Sequence, residues 1–401
     1  VSVDAALALI ERSAPPPPSG PTLVALGAAA VGQVTAAPLH AALDMPRFDA
    51  SAMDGFALRS ADTRAATPAA PASLLLAAAI PAGVRPAPLR PGEAAPISTG
   101  AMAPAGADTI LVKEEATVAN GRLRVATPLP PGRNLRRRGE DVGAGRVVFP
   151  RGTVLTAEAI GTLAGCGLTQ VPVHPRPTIG LISTGSELAA DAAEPDGAAL
   201  IDSNRPMIEA ACAGAGLHCR FLATVRDDRT AVLRLFERLA DLATGDIILT
   251  TGGISAGDYD LVRPALEAHG GRVIFHGIAM RPGKPLLFAL LPDGRPFFGL
   301  PGNPVSALIG FRFFVMAAVR AMLGLAAEAG TPVATDQALR PGVTQFLKAR
   351  RTDPGGWATA GLDQRSHVLS AVARADGWLR LDQDADGGAR ALIYPKAATL
   401  G

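Results

Sequence analysis

The chain has 401 residues, more than one ordinary hydrophobic core accommodates, so two to four domains are expected. Hydrophobic residues make up 48% and no apolar run approaches the roughly 18 residues of a bilayer span, which favours a globular class over a membrane-spanning one. A net charge of +2 excludes strong electrostatic attraction to nucleic acid or to a membrane surface.

The opening, VSVDAALALIERSAP, reads as an amphipathic helix and not as an export signal, because acidic residues interrupt it and no small-residue cleavage site follows. Prolines 15–18 form a connector, followed by a second, Ala/Leu-rich helical piece up to residue 45. Short alternating runs such as TILVKEEATV and RLRVATPL then predict a small β-rich domain over 46–141. Residues 153–166 have helical spacing through Leu155, Ile160 and Leu163. From Thr178 strands and helices alternate: TIGLIS, a helix near 205–215 capped by Asp202-Ser203-Asn204, HCRFLATV, a helix over 230–243, and DIILTT. That alternation predicts parallel βαβ units, with the loops after Ser183 and Thr250 at strand carboxyl ends, where such sheets bind ligands. A long helix from Pro304 ends at Gly324, and hairpins after Thr331 suggest a last small β domain. The division expected is 1–45 with 142–176, 46–141, 177–328 and 329–401.

Three cysteines (Cys166, Cys212, Cys219), without metal-type spacing, suggest a reducing cytoplasm and no zinc site. There are 34 arginines but four lysines, which singles out Lys284 in the loop RPGKP. Glycine inside an ordered element costs about 0.5–1 kcal/mol relative to alanine, so Gly252, Gly253 and Gly257 on one turn need a reason. Backbone N–H groups arranged around an anion, with Arg281 and Lys284 adding charge, would supply it. Taken singly, each polar segment also has a plain structural reading. Asp54 before Gly55 suits a turn, Arg136 to Arg138 a solvated face, Glu187 a helix start, and PGNP at 301–304 a helix-initiating turn.

The ordered set FDASAMDG, STGAMAPAGAD, LRRRGED, STGSEL, DSNR, TTGGISAGDYD, RPGKP and LPGNPVSA resembles the molybdopterin molybdenumtransferase family, the molybdenum insertases that include the catalytic domain of gephyrin-type proteins. The resemblance covers nearly the whole chain. It implies a central three-layer α/β/α domain with a mostly parallel sheet, an N-terminal linking region, an inserted β-rich domain and a C-terminal β-barrel-like domain. It further implies insertion of molybdate into adenylated molybdopterin with Mg²⁺-dependent release of AMP, by a cytoplasmic homodimer whose site lies between subunits. Transient contact with the molybdopterin adenylyltransferase and with acceptor molybdoenzymes belongs to the same picture.

By motif position the resemblance gives Asp54, Thr99, Asp141, Glu187, Asp227 and Asp260 to molybdate handling or cleavage, with Asp227 and Asp260 on the metal side. Ser183, Thr184, Gly252, Gly253, Ser255, Arg281, Lys284, Pro301, Gly302 and Asn303 would hold substrate. Two positions depart from the family pattern, which usually has Asn at Ala50 and often Asp at Ser186. The competing readings are an ATP-dependent molybdopterin adenylyltransferase, against which the N-terminal half argues, and a scaffold that has kept the fold.

Overall fold

The computed structural model describes residues 1–17, 19–188, 197–239, 245–254, 261–352, 356–359, 361–384 and 386–400. Ser2 caps the first helix, Val3–Ser13, by accepting the N–H of Ala5 at 3.2 Å. Val3, Ala6 and Ile10 recur at helical spacing and enter the core that also holds Ile208, Phe314 and Met316. On the same helix Asp4 reaches Arg380 and Arg390 of the C-terminal sheet, so the two ends of the chain are joined.

The Ala/Leu-rich stretch after the prolines is not the expected helix. It forms the strands Thr22–Ala25, Val34–Thr35 and Leu39–His40, with one short turn of helix at Ala28–Ala30. Gly27 and Gly32, with φ of 154° and 73°, break any helix there. The strand partner Gln170–His174 lies more than 130 residues away, beyond the reach of local propensity. Strand Val147–Phe149 pairs with Leu39–His40, and Leu39, Leu155, Leu163 and Val171 share one small core. Segments before and after the inserted sheet therefore close on each other.

The inserted sheet has the order Thr109–Val112, Gly55–Leu58, Glu93–Ile97, Ala72–Leu76, Arg122–Val125, Thr117–Ala119. Alternate residues feed opposite faces: Ala57 and Ile110 enter one core, Leu58 and Leu111 the other. At Gly55 a Cβ would lie 2.1 Å from the Leu111 carbonyl oxygen, so this strand pair closes only around glycine. Beside the sheet, Leu135–Arg136 pairs with Ala50–Ser51, which draws the LRRRGED and FDASAMDG segments together.

The α/β sheet has the order Cys219–Val225, Ile179–Thr184, Ile247–Thr251, Pro296–Leu300, Leu287–Leu290, Arg272–His276. The first three pairings are parallel and the last two antiparallel. Ile179–Thr184 and Ile247–Thr251 are buried at every position, as central parallel strands covered on both faces must be. Leu181 and Leu249 pack into one face's core, Ile182 and Ile248 into the other's, giving three layers. The stretch Pro304–Met322 is long and apolar enough to cross a membrane, yet 72% of it is buried inside the protein, as a core helix is. Within it Arg312 is 2% exposed and makes a bidentate pair with Glu328.

The last unit has Thr344–Thr352, Gly377–Gln383 and Ala389–Pro395 as an antiparallel core, with one short helix at Leu369–Ala373. Met280–Arg281 joins it in parallel with Thr344 and Gln345, so RPGKP starts on the C-terminal sheet.

Candidate active site

Strands Ile179–Thr184 and Ile247–Thr251 end side by side, and the turn after Leu300 closes over them. Thr184 Oγ1 donates to the Thr251 carbonyl at 3.1 Å, and the Gly252 N–H donates to the Leu300 carbonyl at 2.9 Å. Asp202 shapes the next wall. Its carboxylate accepts Ser183 Oγ at 2.5 Å and the N–H groups of Asn204 and Arg205 at 3.0 and 3.1 Å. Asp202 thus caps helix Asn204–Gly214, while the side chain of Ser203 makes no capping bond. Asn204 Nδ2 spans the gap to the Gly302 carbonyl at 2.8 Å. The result is a cleft of about 520 Å³ whose polar wall includes Glu187, Asp202, Asn204, Thr251, Asn303 and His367.

The glycines of the TTGG turn answer to packing. Gly252 and Gly253 have φ of +89° and +66°, and a Cβ on either would meet Thr184 at 2.5 or 2.8 Å. The Gly252 N–H is already bonded to Leu300, and the Val305 N–H, at the start of the PGNP helix, to the Ser366 carbonyl. These two amides are therefore engaged within the protein, and Gly257 lies outside the described residues.

Positive charge gathers in a neighbouring pocket of about 190 Å³, lined by Arg281, Arg340, Gln345, Gln364 and Arg365. Arg365 is held by Asp363, whose carboxyl is pushed well below its usual range by the hydrogen bonds from Arg365. Among the described residues no hydrogen bond or ion pair engages the side chain of Arg281 or Arg340. Lys284 is exposed and lines neither pocket; its carbonyl accepts the N–H of Ile278.

The candidates fall into separate groups. Thr184, Glu187, Gly302 and Asn303 line the cleft, Ser183 braces Asp202 behind it, and the buried Pro301 ends the preceding strand. Asp227 is clasped to the STGSEL turn: its N–H donates to Ser186 Oγ at 2.9 Å, and its Oδ2 accepts the Ser186 N–H at 3.2 Å. Its Oδ1 is buried without a hydrogen-bond partner among the described residues. Ser255 and Asp260 lie outside the described residues.

Asp54 and Thr99 meet in the inserted unit, where Asp54 Oδ1 accepts the Thr99 N–H at 2.6 Å and its hydroxyl at 2.9 Å. These bonds, the backbone one foremost, hold the Asp54 carboxyl below its ordinary value. Around them Asp49 binds Arg137 and the Arg138 N–H, and Asp44 binds Arg138. Asp141 is exposed nearby, its N–H on the Met45 carbonyl. None of Asp54, Thr99 or Asp141 lines the cleft of its own chain.

Sequence reasoning missed Arg340, Arg365 and His367, which came only as parts of the expected C-terminal hairpins. The polar run DQRSH at 363–367, between apolar strands, was the available signal.

A three-layer α/β unit with a polar cleft at the carboxyl ends of its parallel strands, flanked by β units and an arginine pocket, defines a multidomain α/β protein with a cleft of small-molecule size. Residues 1–167 match the MoeA N-terminal region (domain I and II), 180–321 the probable molybdopterin binding domain, and 331–391 the MoeA C-terminal region (domain IV). Molybdopterin molybdenumtransferase 2 of Mycobacterium tuberculosis is 36% identical over 365 residues, covering 88% of this chain and 89% of that protein. Molybdopterin molybdenumtransferase of Staphylococcus aureus is 32% identical over 369 residues, 90% of this chain and 86% of that one. The crystal structure of the molybdopterin biosynthesis moeA protein from Pyrococcus horikoshii OT3 superposes with a TM-score of 0.81 at 27% identity, over 98% of this chain and 100% of that one. The chain belongs to the molybdopterin molybdenumtransferase family, the MoeA family of transferases.

Proposed function

We propose that the chain inserts molybdate into adenylated molybdopterin with Mg²⁺-assisted release of AMP, as a cytoplasmic homodimer. The observation that carries this reading is the adjacency of a polar cleft, within the roughly 300–1,000 Å³ of small-molecule sites, to a pocket holding two guanidiniums that have no partner among the described residues. The cleft suits the adenylated pterin, with Asn204, Thr251 and Asn303 offering neutral polar contacts. Arg281 and Arg340 suit molybdate, a dianion whose oxygens accept charge-assisted hydrogen bonds.

Asp227 fits a magnesium ligand, because its Oδ1 is a buried hard oxygen donor lacking a partner. Asp260, placed by its motif on the same side, is its proposed companion. Among the described residues no three acidic, His or Cys side chains gather closely enough to hold an ion. Bound there, Mg²⁺ would offset the charge of the pyrophosphate undergoing cleavage. Glu187 in the cleft wall is a carboxylate able to orient the attacking water. The Asp54–Thr99 cluster, remote from its own chain's cleft, would complete the site of a second copy.

Purified protein is mixed with adenylated molybdopterin, Mg²⁺ and molybdate, and AMP is followed. Release that requires molybdate supports the proposal. ATP-dependent adenylation of molybdopterin instead would establish the adenylyltransferase reading, and turnover of neither substrate the scaffold.

A further inference from the structure

The two pockets share one short segment of chain, and a buried lysine holds it. Residues 363–367 leave the C-terminal sheet and cross the start of helix Pro304–Ile309, where the Ser366 carbonyl accepts the Val305 N–H at 3.1 Å. Gln364 and Arg365, on one side of that anchor, line the arginine pocket; His367, on the other, lines the cleft.

Lys348, from strand Thr344–Thr352, is 1% exposed. Lysine is almost never fully buried unless its ammonium is satisfied. Here Nζ donates to the carbonyls of Asp363 at 2.7 Å and Arg365 at 2.9 Å. Gln364, between them, closes on the backbone of the same lysine: its Oε1 accepts the Lys348 N–H at 2.8 Å and its Nε2 donates to the Lys348 carbonyl at 3.0 Å. Four hydrogen bonds thus tie one strand residue to three consecutive loop residues. Both Nζ acceptors are neutral carbonyls, so what the ammonium recognises is the backbone path of the loop.

We propose that Lys348 is a positioning residue for the transferase reaction, fixing residues 363–367 so that Arg365 faces the oxyanion and His367 the adenylated pterin at the same time. The inference rests on the site reading above. It predicts that one remote side chain controls the affinity of both pockets.

The test is calorimetric titration of the full-length protein with sodium molybdate and, separately, with AMP. It compares wild type, Lys348→Met, which keeps the stem and removes the donors, and Lys348→Arg, which keeps a cation. Steady-state turnover of adenylated molybdopterin is measured alongside. We expect Lys348→Met to weaken both probes by about 10-fold, the scale of a lost charged hydrogen bond. KM for molybdate should rise by a similar factor with kcat changed less, and Lys348→Arg should recover most of both affinities. Should Lys348→Met fail to fold, Gln364→Ala decides, since it leaves the ammonium in place; both affinities should fall at least about 2-fold. A lower melting temperature with both affinities intact would make the clasp merely structural and overturn the proposal. Loss of one affinity alone would overturn it too. A wild-type protein that binds neither probe would refute the site reading itself, and this inference with it.

Discussion

Ser186 and Asp227, 41 positions apart, hold each other reciprocally: the serine hydroxyl accepts the Asp227 N–H at 2.9 Å, and the Asp227 carboxylate accepts the Ser186 N–H at 3.2 Å. The clasp links the turns after two neighbouring parallel strands and leaves Asp227 Oδ1 without a partner. A neutral hydrogen bond is worth about 0.5–1.5 kcal/mol net. Ser186→Ala should therefore raise KM for the adenylated substrate about 2- to 10-fold, read from AMP release. An unchanged KM would separate the clasp from substrate handling.

Asp202 carries three contacts at the cleft wall. Asp202→Ala removes a helix cap and leaves the buried hydroxyl of Ser183 without its acceptor. The expected loss is about 1–3 kcal/mol, measured by urea unfolding. A loss under about 0.5 kcal/mol would mean that water or another group takes over the cap.

Arg281 and Arg340 line the arginine pocket without a side-chain partner among the described residues. Alanine at either should weaken molybdate binding by about 1.5–3 kcal/mol, roughly 10- to 100-fold, with AMP binding much less affected. Equal weakening of both ligands would move the oxyanion out of this pocket.

His174 is buried, and neither ring nitrogen has a hydrogen-bond partner among the described residues. Burial, and secondarily the charge of Arg151, holds its imidazole below the ordinary value. Its folded form binds a proton less readily than its unfolded form. Stability must then fall as pH drops below about 6.5, the unfolded value, towards the lowered folded one. His174→Phe should flatten that limb in melting temperatures taken between about pH 7.5 and about pH 5. An identical slope in both proteins would assign it to other groups.

Gly252→Ala would force a Cβ to 2.5 Å from the Thr184 carbonyl, at a backbone φ of +89°. The destabilisation should exceed about 1 kcal/mol, seen as a lower midpoint in urea. A neutral substitution would show that the turn has room to shift.

The α/β unit was readable because its signals are local. Ile179–Thr184 and Ile247–Thr251 are continuous apolar runs, as fully buried parallel strands must be, and each meets a glycine turn where the sheet ends. The Ala/Leu-rich stretch before residue 45 misled: alanine favours helix in isolation, yet only Ala28–Ala30 makes a short helical turn, and the pairing of Thr22–Ala25 with Gln170–His174 set the outcome around it. Glu187 and Asn303 line the cleft. Asp54 and Thr99 found each other across 45 residues, but away from that cleft.

By itself the chain's order of residues determined the strands of the α/β unit, the turns that end them and the family, since apolar periodicity and motif order are properties of neighbours along the backbone. Tertiary structure alone decided that Asp202 would brace Ser183 and that Arg340 would join Arg281. It alone decided that a buried lysine would seat the segment carrying His367. Such contacts form when distant segments are packed into one core, and the register of that packing is written in no single stretch of sequence.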